Sequence, residues 1–365
     1  MDRRVLHTQA DRIEMVLANH RAPARVTGGR VTPRTVQFHF MLAPTTKVAQ
    51  IEKLSEEIAL SLGVTSARLT RSRGQLALEV PRLDAQPVHL LKLQERLAHE
   101  ANLTRALGLP GTAVLGMDSD GVPLLVKLAS PDVAHLLIVG TTGSGKTELA
   151  KAIIASLMLN QKPRDVQIIL IDPKGSAFKN LLGLPHLTTA PLMQAAQITE
   201  RFRWLVGEME RREVEGYVRP HLVVVVDELA DVLMTGGKDL QTDLTRLIQR
   251  GRSAGLSLIA CTQKPTAAAV GSLVKANFPV RLVGRVTSAD EARLASGMAM
   301  SGAERLNGHG DFILIAGGQQ LRFQAAYIPN TDWTTVRTQI TEGTALPRVE
   351  RIEPRGFMER LRRIK

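Results

Sequence analysis

The chain has 365 residues, 44% hydrophobic and 22% charged, an ordinary globular composition with room for two domains rather than a disordered or fibrous one. Its uninterrupted apolar runs, such as Leu222–Val226, fall far short of the ~20 residues a spanning helix needs, and no apolar stretch follows Met1-Asp-Arg-Arg4 to act as a secretory signal, so a cytoplasmic chain is expected. A single cysteine, Cys261, excludes an internal disulfide and leaves too few thiolates for a cysteine zinc site, while a net charge of +12 favours a polyanionic partner. Residues from about Thr8 to Arg82 read as a small α+β unit. Ile13, Val16 and Leu17 mark a helix, and Val36, Phe38 and Phe40 alternate as a half-buried strand. Val48, Ile51, Leu54, Ile58 and Leu62 step at threes and fours as one amphipathic helix, and Leu76, Leu78 and Val80 alternate again before Pro81. Lys92 to Leu109 reads as a connecting helix, punctuated by Leu109-Pro110-Gly111.

From about Thr112 strands alternate with helices, the pattern of a mainly parallel sheet with crossovers. The strands expected are His135–Val139, Val166–Ile171, Leu222–Val226, Leu256–Cys261 and Val280–Val283. Leu222–Val226 is too continuous for a half-exposed strand, which places it centrally. The intervening helices carry Leu149, Ala152, Ile153 and Leu157, then Ile198, Phe202, Leu205, Val206 and Met209, then Leu240, Leu244, Leu247 and Ile248. Ser288-Ala-Asp-Glu291 reads as a capping box, and Phe312–Ile315 with Leu321–Ile328 as a hairpin. Past Pro329 the chain reads as a polar, basic tail.

The most informative stretch is Gly140-Thr141-Thr142-Gly143-Ser144-Gly145-Lys146-Thr147, a Gly-x4-Gly-Lys-Thr phosphate-binding loop between a strand and a helix. Its glycines let backbone N–H groups converge on phosphate oxygens, and the helix N-terminus adds its positive dipole end. Lys146 is expected to reach the outer phosphates of a nucleoside triphosphate, and the Thr147 hydroxyl to ligate Mg²⁺.

Asp227-Glu228 directly follows the Leu222–Val226 strand, on the edge of the sheet that carries the loop. An Asp there holds Mg²⁺, and the following Glu orients and polarises the attacking water. Gln263, ending the Leu256–Cys261 strand, is expected beside them to sense phosphate or position water. Asp172-Pro173-Lys174 ends another strand nearby, with the role of Lys174 left open. Arg250, Arg252, Arg281, Arg285 and Arg293 are all available as an arginine completing a neighbouring subunit's site.

With these residues in place the chain resembles the FtsK/SpoIIIE family of double-stranded DNA translocases. The resemblance rests on an ordered series: His135–Thr147, Ile171-Asp-Pro-Lys174, Glu208-Met-Glu-Arg-Arg212, Val225-Val-Asp-Glu-Leu-Ala-Asp231, Gln249-Arg-Gly-Arg-Ser-Ala-Gly255, Thr262-Gln-Lys-Pro265, Lys275-Ala-Asn277 and Gly308-His-Gly-Asp311. It runs from about Ala10 to Pro329 and implies a small α-like domain over residues 1–95, a RecA-like P-loop ATPase domain over 96–330, and a basic tail over 331–365. It further implies ATP and Mg²⁺ as ligands and a homo-oligomeric, hexameric ring that threads duplex DNA. Arg252 resembles the family arginine that acts across the subunit boundary. Lys264, Lys275 and Arg293 match basic channel positions, and Lys238 falls in the other channel loop. Such contacts suit a motor that grips phosphates without reading sequence.

The chain departs from the family pattern in a short connection from Arg212 to Asp227, in Ala289 where some relatives carry lysine, and in lacking membrane segments and a winged-helix γ domain. The expectation is a stand-alone soluble motor, encoded by a phage, plasmid or integrated element, with a separate recruiting protein allowed for. The alternative is a related motor moving protein or single-stranded DNA; the 3% aromatic content argues against base stacking on single strands.

Overall fold

The computed structural model describes residues 3–32, 35–72, 75–82, 87–130, 132–263 and 278–343. The front unit comprises α1 (Arg3–Asn19), β1 (Ala24–Val31), β2 (Thr35–Leu42), α2 (Val48–Lys53), α3 (Ser55–Leu62), β3 (Arg68–Ser72) and β4 (Gln75–Pro81). Its strands form an antiparallel sheet in the order β1-β2-β4-β3. The alternating Val36, Phe38 and Phe40 of β2 pack with Ile13 and Leu17 of α1 and with Ile51, Ile58 and Leu62 from the two short helices. The single helix expected over 48–62 is broken at Leu54, whose ψ of 8° is not helical. Leu54 itself remains buried in that cluster, so the apolar spacing survives the break.

The remaining elements are β5 (Val88–His89), α4 (Leu90–Ala98), α5 (Ala101–Leu107), β6 (Thr112–Asp118), β7 (Pro123–Lys127), β8 (Leu136–Val139), α6 (Lys146–Asn160), β9 (Val166–Ile171), α7 (Ala195–Glu215), β10 (His221–Val226), α8 (Leu229–Arg250), β11 (Leu256–Thr262), β12 (Val280–Val283), α9 (Ala289–Ser296), β13 (Asp311–Ala316), β14 (Gln319–Tyr327) and α10 (Trp333–Glu342). Nine of the strands run in the order β7-β6-β14-β13-β12-β8-β11-β10-β9, with β5 beside β14. The block β12-β8-β11-β10-β9 is parallel throughout, while β13, β14, β6 and β7 continue the sheet in antiparallel fashion. The sheet is therefore mixed, and its parallel half builds the site.

Period-two alternation feeds two cores, one on each face of this sheet. Leu136 and Ile138, Ile168 and Leu170, Val223 and Val225, and Ile259 and Cys261 point to the face covered by α6. Leu137 and Val139, Ile169 and Ile171, Val224 and Val226, and Leu258 and Ala260 point to the face covered by α7 and α8. Strands buried on both faces are apolar at most positions, which is why β8 to β12 read as largely hydrophobic runs broken by a few polar residues such as Ser257 and Arg281.

Two boundaries set from sequence meet packed structure. Residue 95 falls inside α4, whose Leu90, Leu93 and Leu97 belong to the core of the large sheet. The first part of the expected tail forms α10, which buries Trp333, Val336 and Ile340 in that same core.

Candidate functional site

The Gly140–Thr147 loop joins β8 to α6 at the C-terminal edge of the parallel block. At Gly145 φ is +100°, and a Cβ there would lie 2.9 Å from the Gly310 nitrogen, so both the turn and its neighbour require glycine. The loop is braced from outside itself. The His309 and Gly310 N–H groups donate to the carbonyls of Gly143 and Ser144 at 3.0 and 2.8 Å. The Thr141 N–H donates to the Arg285 carbonyl at 2.8 Å, and the Gly140 N–H to the Thr262 carbonyl. Carbonyls are thus consumed by neighbours on the protein side.

Lys146 opens α6, is buried, and donates from Nζ to the Thr141 carbonyl at 3.2 Å. Burial lowers its pKa, with the nearby carboxylates of Glu228 and Asp227 pulling the other way. Thr147 Oγ1 donates to Asp227 Oδ1 at 3.0 Å. Burial raises the Asp227 pKa, partly offset by that hydrogen bond. Glu228 is buried as well, and both its carboxylate oxygens accept from the Gln263 N–H, at 3.2 and 3.1 Å. Its pKa is raised by burial, against hydrogen bonds from Thr262 and Gln263. Gln263 Oε1 in turn accepts from Thr142 Oγ1 at 3.2 Å. The topology explains this meeting: β11 lies between β8 and β10, so Gln263 at its end stands between the loop and the Asp227-Glu228 pair.

A cavity of about 620 Å³ opens over the loop, lined by Thr141 to Gly143, Gly145 to Leu149 and Gln263, and also by Pro87, Gln324 and Tyr327. That volume suits a nucleotide-sized ligand. The donor set fits the same group: a lysine, the N-terminus of α6, and a hydroxyl paired with a carboxylate in the manner of a Mg²⁺ site. The buried Ser144 Oγ, with no hydrogen-bond partner among the described residues, adds an unfilled donor within the loop.

Other expected residues lie elsewhere. Lys174 is paired with Asp231 at 3.0 Å, while the buried Asp172 carboxylate accepts from the Gly175 and Ala177 N–H groups and so shapes its own turn. Of the five arginines, Arg250 is paired with Glu213, and Arg293, exposed on α9, with Asp290. Arg281 is buried, donating toward the Phe278 and Ala295 carbonyls, and Arg285 abuts the loop of its own subunit. Arg252 is exposed at the opposite end of β11 from Gln263, roughly 20 Å of strand away, and its side chain forms no ion pair with a described residue. Lys238 is exposed on α8 just after a break at Gly237, in what the sequence suggested was a loop. Lys264 and Lys275 lie outside the described residues.

The contribution of the Gly308–Asp311 turn as a brace for the loop was invisible from spacing. Its signal was the Gly-His-Gly pattern: all three residues have positive φ, including His309 at 50°.

The FtsK/SpoIIIE family model matches residues 98–215 and 213–267, and the FtsK alpha domain model matches residues 1–82. The chain belongs to the FtsK/SpoIIIE family. It is 30% identical over 373 residues to DNA translocase FtsK of Staphylococcus epidermidis, covering 94% of this chain and 45% of the relative. It is 31% identical over 389 residues to DNA translocase FtsK of Mycobacterium tuberculosis, covering 94% and 46%. The chain thus spans less than half the length of these curated relatives. Among solved structures it is similar to the pCW3 conjugation coupling protein TcpA, in its monomer form with ATPγS, at a TM-score of 0.61 and 15% identity over 92% of this chain and 99% of that one. It is also similar to the cytoplasmic domain of the Thermomonospora curvata type VII secretion ATPase EccC, at a TM-score of 0.55 and 24% identity over 63% of this chain and 31% of that one. These likenesses agree with the P-loop ATPase fold of the FtsK/SpoIIIE chain. No helix among the described residues is long and apolar enough to cross a membrane.

Proposed function

We propose that this FtsK/SpoIIIE chain hydrolyses ATP and couples hydrolysis to movement along double-stranded DNA as a hexameric ring. The observation that carries the reading is the convergence of Lys146, Thr147, Asp227, Glu228 and Gln263 at one sheet edge. Lys146 and the loop N–H groups hold the phosphates, and Thr147 and Asp227 hold Mg²⁺. Mg²⁺ held there would neutralise charge on the outer phosphates. Glu228 orients the attacking water and accepts its proton, and Gln263 links that carboxylate to Thr142 in the loop, so that phosphate occupancy is felt at β11.

The distance of Arg252 from its own site supports a role across the subunit boundary, where it stabilises transition-state charge on the neighbour's nucleotide. Lys238, Lys264, Lys275 and Arg293 are assigned to the DNA-facing side. A ring makes weak phosphate contacts sufficient, since many act at once. A division into an α-like unit, a motor and a basic tail completes the reading.

The test is ATP hydrolysis titrated with linear duplex and, separately, with single-stranded DNA. Stimulation by duplex that weakens as salt rises supports the reading. Hydrolysis indifferent to both DNAs overturns the choice of cargo.

A further inference from the structure

The cavity over the phosphate loop does not end at the phosphates. It is also walled by Pro87, by Ala325, Ala326 and Tyr327 of β14, and by Leu149 of α6. Tyr327 is steadied by an edge-on contact with His89, ring centroids 6.4 Å apart. These are largely apolar surfaces suited to a flat heterocycle, and they line the same cavity as Lys146 and Thr147.

One polar side chain breaks this apolar lining. Gln324 lines the cavity and donates from Nε2 to the His309 carbonyl at 3.0 Å. A carbonyl carries no proton, so the bond settles which way round the amide stands. The nitrogen faces His309, and Oε1 accepts a hydrogen bond from no described residue. The strand beneath is fixed too. The Ala325 N–H donates to the Gly310 carbonyl at 2.7 Å, and a Cβ at Gly310 would lie 2.6 Å from Gln324 Nε2. Glycine at 310 is what lets the amide lie against the turn.

We infer that this part of the cavity is the nucleobase site and that Gln324 selects 6-amino over 6-oxo purines, its Oε1 accepting a hydrogen bond from the amino group of adenine. The inference rests on the proposed binding of ATP and deepens it. The same turn, His309-Gly310, holds both ends of the ligand: its N–H groups fix the carbonyls of Gly143 and Ser144, and the His309 carbonyl fixes the base-reading amide. A 6-oxo purine sets an acceptor where the site already offers one, and facing acceptors cost roughly tenfold in affinity.

The test is equilibrium binding of ADP and IDP to the full chain, by calorimetry, for wild type and Gln324→Met, with the melting temperature of each protein recorded without ligand. Gln324→Met keeps the bulk and removes the acceptor. Wild type is expected to bind ADP at least tenfold more tightly than IDP, and Gln324→Met to bring the two within about threefold through weaker ADP binding. A second arm needs no variant: purine riboside 5′-diphosphate, which lacks the 6-amino group, is expected to bind wild type as weakly as IDP. An unchanged ratio in a folded Gln324→Met protein, or purine riboside diphosphate binding as well as ADP, overturns the role of Gln324. Equal binding of ADP and IDP to wild type overturns the selectivity while leaving the nucleotide site intact. Failure of wild type to bind any of the three overturns the ATP reading itself.

Discussion

Thr147 Oγ1 sits 3.0 Å from Asp227 Oδ1, joining residues 80 positions apart in sequence at the same edge of the parallel sheet. In the proposed mechanism this pair holds Mg²⁺, so Thr147→Val and Asp227→Asn should each lower ATP turnover by roughly a hundredfold or more. Mg²⁺ titration of hydrolysis checks this. The variants should need more metal for half-maximal rate, while circular dichroism shows the fold unchanged.

In the proposed mechanism Glu228 acts as a base in its ionised form, and burial raises its pKa above the ordinary carboxylate value. Protonation on acidification removes the base, so turnover falls as pH drops through that raised value. The acid limb of the turnover profile should therefore lie above the usual glutamate range. Glu228→Gln should bind nucleotide like wild type, lose at least about a hundredfold in turnover, and lose the limb with it.

Arg252 stands at the wrong end of β11 to serve its own site. Arg252→Ala and Glu228→Ala should each be inactive alone. In the proposed ring, mixing the two should regain a fraction of wild-type hydrolysis, because some interfaces would then pair an intact Arg252 with an intact Glu228. No recovery on mixing would mean the arginine does not act across subunits.

Arg322 joins the two units of the chain. It donates to both oxygens of Asp311, at 2.8 and 2.7 Å, and to Glu79 of the front unit at 3.2 Å. Both carboxylates are buried, so Arg322→Met removes their ion-pair partner while Asp311 keeps the Asn307 N–H, and the arginine itself is partly exposed. The expected cost is about 2–3 kcal/mol of stability, toward the low end of what breaking such a pair removes. Urea denaturation measures it. Replacing Glu79 and Asp311 together with glutamine and asparagine should restore part of the loss.

His135 and His221 lie under the other edge of the sheet, both with pKa pushed down to about 4, chiefly by burial. His135 Nδ1 accepts from the Leu258 N–H, and His221 Nε2 is bonded to Ser257 Oγ. Between pH 6.5 and 4 the unfolded chain binds the protons that the folded chain refuses, so acidification favours unfolding. Lowering pH from 7 to 5 should cost about 2 kcal/mol per histidine. His221→Gln should flatten the dependence in urea titrations at the two pH values.

Much of the parallel block was legible because strands buried on both faces leave a largely apolar signature. Val166–Ile171 and Val280–Val283 end where the sequence placed them. The edge strands left no such mark. In β1 the run Thr27-Gly28-Gly29 is polar and exposed, and β3 is a polar five-residue strand, Arg68–Ser72. Helix α10 hid in a polar stretch because only Trp333, Val336 and Ile340 face inward, a narrow stripe on a short helix. The phosphate loop and Asp227-Glu228 were legible because each is local and sits at a strand end. The brace from His309 and Gly310 was not, since it exists only once β13 and β14 bring that turn across the loop.

The central claim is that this site drives movement along duplex DNA, and displacement of a triplex-forming oligonucleotide from a linear duplex tests it most directly. The account predicts displacement that requires ATP, scales with turnover, and is absent in Glu228→Ala. Robust hydrolysis by the wild-type protein with no displacement at any ATP concentration would contradict it.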